Sequence, residues 1–69
     1  MEEVVIVTRD EHGKRTDHLL RWDNVCSYVE SNFTDEDEIL LVIVEGSCIY
    51  SGLWTVNLLT KDELIGFFA

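Results

Sequence analysis

The chain has no proline, only two cysteines in 69 residues, and five basic residues against fourteen acids. Each shortage excludes something. Without proline, helices and strands must be delimited by turn residues and caps. Two cysteines, Cys26 and Cys48, are too few for a disulfide scaffold, and their spacing matches no zinc pattern. They are expected as buried free thiols in a reducing compartment, with a Cys26–Cys48 bridge as the alternative. The four glycines stand isolated at 13, 46, 52 and 66, so there is no Gly-rich loop to cradle a phosphate. The longest apolar run, Ile39–Val44, falls far short of the roughly 20 residues that cross a bilayer. Met-Glu-Glu precedes Val4, where a secretory signal would open with bases, so a cytoplasmic protein is expected. Scarce lysine and arginine argue against direct binding to nucleic acid or to an anionic membrane.

What is present points to one small folded unit. Residues 1–69 are too few for two cores, and a chain near this length buries only about 60% of the surface it exposes when unfolded. Apolar residues make up 46% of the sequence, with two Trp, two Tyr and three Phe among them. That supply is too rich for an intrinsically disordered chain. The acids are unevenly spread. Residues 1–22 hold five acids and four bases, a net of −1; residues 23–69 hold nine acids and Lys61, a net of −8. Such a field attracts basic protein surfaces, although net charge also serves simply to keep a small apolar protein dissolved.

Val4–Thr8 is rich in β-branched residues and predicts a strand. Gly13 can supply the left-handed residue of a hairpin loop, and the chain returns through Arg15–Trp22. Asp23 is placed to cap a helix whose apolar stripe comprises Val25, Cys26, Tyr28 or Val29, and Phe33. An acidic turn, Thr34–Glu38, leads into Ile39–Val44, whose continuous apolarity predicts a central strand covered on both faces. Glu45-Gly46-Ser47 forms a tight turn, Cys48-Ile49-Tyr50 begins the return strand, Gly52 marks a bulge, and Leu53–Leu58 resumes the extended pattern. Thr60-Lys61-Asp62-Glu63 is a capping box, with Leu59 and Leu64 spaced as its hydrophobic staple. The expected architecture is α+β in the order ββαββα. Two hairpins form a four-stranded antiparallel sheet, with an amphipathic helix packed on it and a short C-terminal helix.

The residues that could carry chemistry are few. His18 and Cys26 could in principle form a nucleophilic pair, but Cys26 lies on a helix's apolar stripe, where thiols are structural and inert. The run Asp35–Glu38 lacks the central glycine of a calcium loop. No enzymatic activity, metal or cofactor is expected. Two binding functions fit instead. In the first, carboxylates at Asp35, Glu36, Asp37, Glu38, Glu45, Asp62 and Glu63, with Trp54, occupy the basic, nucleic-acid-binding surface of a partner protein. Small acidic inhibitors encoded by bacteriophages offer an analogy of size and charge, without a shared motif. In the second, the apolar strand and the aromatic C-terminus support a homodimer or an adaptor contact, and the acids only maintain solubility.

Overall fold

Runs of valine and isoleucine favour extended backbone, and they build the centre of the sheet. The structure, a computed structural model, describes residues 2–69. Strand β1 spans Glu3–Arg9 and pairs antiparallel with β2, Arg15–Arg21. The loop between them is held by Asp10, whose carboxylate accepts from the amides of His12 and Lys14, both at 2.9 Å. Those two bonds favour the charged carboxylate, with the Lys14 amide the larger influence, and hold its pKa below the ordinary value. Gly13 takes φ +82°, as its place in the loop anticipates.

Strand β3, Glu38–Val44, pairs with the other side of β1 and with β4, Ser47–Ser51, giving the strand order β2-β1-β3-β4 with antiparallel neighbours throughout. Glu45 and Gly46 both have positive φ, 51° and 79°, the pattern of a two-residue hairpin turn that matches strand twist. Helix α1 covers Val25–Asn32 and α2 covers Lys61–Phe68. The fold is therefore the expected α+β arrangement in ββαββα order.

Both helices lie on one face of the sheet. Val25 and Val29 of α1, Leu64 and Phe68 of α2, and Phe33 pack with Val4, Ile6, Ile39 and Val42 of the strands in one buried cluster. Spacing of four residues within each helix puts those side chains on a single stripe. Trp22 closes the margin, with its ring 4.5 Å from Phe68 and 6.1 Å from Phe67. The Cα radius of gyration, 11.1 Å, matches the ~11 Å of a packed chain of this length.

Four local expectations need correction. Asp23 does not cap α1. It lies in a 3-10 turn, Trp22–Asn24, because the Trp22 amide bonds to the Glu2 carbonyl at 3.0 Å and the chain tightens at once. Helix α1 starts behind Asn24, whose side chain makes no capping bond. The bulge in the second hairpin falls at Ile49, between the Val42–Tyr50 and Ile43–Cys48 pairs, and not at Gly52. Gly52 instead opens a 3-10 turn, Gly52–Trp54, and Leu53–Leu58 is not a strand. The Ser51 side chain accepts from the Leu53 amide at 3.2 Å, which bends the chain out of the sheet. Finally, β3 is an inner strand, but its two faces differ: Ile39 and Val42 are buried, while Leu41 and Ile43 are only half-buried on the face without helices.

Candidate functional site

After the 3-10 turn, the chain between β4 and α2 keeps its apolar side chains in solvent. Leu53 is 96% exposed, Trp54 66% and Val56 97%. The segment is nevertheless tied down at both ends. Ser51 caps its start, the Asn57 amide bonds to the Thr55 hydroxyl at 3.2 Å, and the Leu59 amide bonds to the Tyr50 hydroxyl at 2.9 Å. Close packing also fixes the base. A Cβ on Gly52 would lie 2.8 Å from Leu58 Cδ2, so the absence of a side chain there lets Leu58 fold back against the strand.

At the far end of this segment lies an acidic cleft of about 420 Å³, bounded by the turn after α1, by Leu58 and Leu59, and by the start of α2. Asp35, Asp37, Glu38 and Asp62 line it, together with Lys61. The geometry follows from ordinary capping. Asp37 folds its turn back by accepting from the Thr34 amide at 2.9 Å, and its own amide donates to the Thr34 carbonyl at 3.2 Å. Thr60 accepts from the Glu63 amide at 3.1 Å while Glu63 accepts from the Thr60 amide at 3.0 Å, the capping box expected from the sequence. These two anchors hold the turn and the helix start on either side of the cleft. Glu38 also accepts from Arg9 Nε at 2.8 Å, which raises the arginine's pKa.

The structure separates the sequence-predicted residues. Asp35, Asp37, Glu38 and Asp62 converge on the cleft; Trp54 stands on the apolar segment beyond it. Glu36 is exposed in the same acidic turn without lining the cleft. Glu63 spends one carboxylate oxygen on the helix cap. Glu45 sits at the other end of β3, about 20 Å away by strand length, and accepts from the Glu3 amide at 3.0 Å. Leu53 and Val56 were not anticipated as exposed. The signal available for them was the polar interruption at Ser51, Gly52, Thr55 and Asn57, which suits a looped segment better than a strand.

His18 and Cys26 each have other partners. His18 Nε2 lies 2.9 Å from the Thr8 hydroxyl and Nδ1 lies 2.9 Å from the Tyr28 hydroxyl. Cys26 donates to the Ile65 carbonyl at 3.5 Å, so His18 and Cys26 are not partners. Both cysteines are free thiols; against the expectation that both are buried, Cys26 is half-buried and Cys48 is exposed. Among the described residues, no group of three or more His, Cys, Asp or Glu side chains is arranged to hold a metal ion. No helix among the described residues is long and apolar enough to cross a membrane. Compared with models of known protein families, with curated proteins and with solved structures, the chain matches none.

Proposed function

We propose that this protein works by binding another protein, seating Leu53, Trp54 and Val56 in an apolar recess of a partner whose surrounding surface is basic. The observation that carries this reading is the exposure of three large apolar side chains on one short, anchored segment. Single exposed apolar residues are ordinary on any protein surface, whereas a group of them marks a contact. Tryptophan is also among the residue types that most often dominate interface energy.

The charge supports the same partner chemistry. Four carboxylates border the cleft at the end of the segment, and the chain as a whole carries −9. Such a field steers encounter with a basic surface and turns anionic ones away. A surface that ordinarily holds nucleic acid has the required character, and a chain occupying it acts as an inhibitor or regulator of its partner. In this division of labour the apolar segment supplies binding energy, and the carboxylates supply association rate and selectivity.

The test has two stages. The immobilised protein is exposed to a cell lysate and eluted with a salt step, and the retained protein is identified by mass spectrometry. Binding constants are then measured for that partner with wild type, Trp54→Ala and the Asp35→Asn/Asp37→Asn pair. Trp54→Ala is expected to weaken binding about 30-fold or more. The paired substitution should chiefly slow association and flatten its salt dependence. Wild-type affinity for Trp54→Ala would remove the proposed anchor and with it this reading.

A further inference from the structure

The face of the sheet away from the helices is unlike the rest of the molecule. Register places Val5 beside Leu19 and Ile43, and Val7 beside Leu41, on this outer face. Leu19 projects from the edge strand at 69% exposure, while Leu41 and Ile43 are half-buried. Next to them a groove of about 430 Å³ has Val7, Leu40, Leu41 and Leu58 in its lining, with Leu53 at one side and Arg9 and Arg15 at the other. The face thus carries a protruding apolar side chain and an apolar hollow.

Its charge is the second observation. The strand residues on this face include three arginines, Arg9, Arg15 and Arg21, and three acids, Glu3, Asp17 and Glu38. They cancel, so the strands' outer face is formally neutral on a chain whose net charge is −9. Signs also alternate locally: Arg9 pairs with Glu38 at 2.8 Å and Arg15 with Asp17 at 3.6 Å. A basic partner gains no attraction from a neutral face. Nucleic acid and anionic lipid are repelled by the charge on the remainder. What this face matches is a surface equally apolar, neutral and alternating in sign, and it matches those properties in itself.

We infer that a second copy of this chain covers the outer face, giving a two-fold symmetric dimer. In such a contact each patch meets the same patch of its partner, so Leu19 of each copy reaches the other's apolar hollow, and each Arg15 approaches the other's Asp17. The surface meets the Leu53–Trp54–Val56 segment only at Leu53; Trp54 and Val56 lie outside the groove's lining, so Trp54→Ala tells the two assignments apart. Salt separates them too. Two copies of a −9 chain repel at long range, so added salt strengthens the dimer, whereas it weakens attraction to a basic partner.

Sedimentation velocity over about 5–500 µM protein, at about 0.05 and 0.5 M NaCl, tests the inference. Wild type is expected to dimerise reversibly, more strongly at high salt. Leu19→Lys is expected to weaken the dimer by at least about 30-fold, because the interface contains that position twice. Arg15→Glu is a second variant at an exposed position. It should weaken the dimer as well, and Arg15→Glu combined with Asp17→Arg should restore it. Trp54→Ala should leave association unchanged. A chain that stays monomeric at the highest concentration and salt overturns the inference. So does a dimer indifferent to Leu19→Lys and Arg15→Glu, or one abolished by Trp54→Ala, which places the contact on the other surface.

Discussion

The two faces of one sheet show how the same strands can be finished in opposite ways. On the inner face Val4, Ile6 and Val42 are almost wholly removed from solvent by α1 and α2. On the outer face, one residue along each strand, Val7 is buried, but Val5 and Ile43 are only half-buried and Leu19 is mostly exposed. Strand alternation alone does not explain the contrast, since both faces present aliphatic side chains. Among the described residues, α1 and α2 both lie on the same side. The 52–58 segment shields part of β3 on the other side and leaves its own apolar residues in water. An apolar strand is thus a reliable sign that both faces avoid water, but it does not say whether the same molecule provides both covers.

The sharpest way to break the comparison is to truncate one residue on each face. Ile6→Ala, in the fully buried cluster, is expected to cost about 2–5 kcal/mol by urea denaturation. That is a large share of the roughly 3–10 kcal/mol a chain of this length commands. Leu19→Ala, measured where the protein is dilute, should change stability by no more than about 0.5 kcal/mol. At high concentration the same variant should lose additional stability, because dimerisation stabilises the folded form by mass action. Equal losses for the two variants in dilute solution would mean that the outer face is part of the folding core.

A smaller effect tests how the inner face is closed. Helix α2 is held by its capping box and by Leu64 and Phe68. Thr60→Ala is therefore expected to destabilise by about 1 kcal/mol, with Thr60→Ser retaining most of the bond. Gly66 works against the same helix. A Cβ there meets nothing within 4 Å, so Gly66→Ala should stabilise by about 0.4–1 kcal/mol. If neither substitution moves the urea midpoint, packing alone fixes α2 and the cap is dispensable.

Much of the inner face was legible in the sequence because its signals are local. The β-branched run at Val4–Thr8, the glycines at 13 and 46, and the Thr60–Glu63 box each specify backbone through neighbours within a few residues. The placement of the helices was not legible, since an apolar stripe states that a helix covers a sheet without stating which side. The 52–58 segment was misread because Leu53, Trp54 and Val56 mimic strand alternation, while the features that bend it act through Ser51 and the fit of Leu58 over Gly52. The acidic cleft was half legible. Its residue types were evident, but Asp62 joins Asp35 and Asp37 only because α2 returns beside the turn that follows α1. Glu45, equally acidic, is separated from them by the length of β3.

His18 probes where the inner face ends. It directly precedes Leu19 on the edge strand, so the two side chains fall on opposite faces. Its ring lies 4.8 Å from Phe33 and is bonded to the hydroxyls of Thr8 and Tyr28. Burial lowers its pKa below the ordinary 6.5, against the opposing fields of Asp37 and Asp17. The folded state therefore takes up this proton less readily than the unfolded chain. The contribution is complete above the ordinary histidine value and is lost as pH falls through the lowered one. Urea titrations of wild type at about pH 7.5, 6.5 and 5.5 should show stability declining over the lower interval. His18→Gln should remove that part of the slope, whereas Asp10, whose lowered pKa lies in the carboxylate range, acts only at more acid pH. A slope that survives the substitution would mean that groups other than His18 carry it, and that burying this ring at the margin of the inner face adds nothing to the pH dependence.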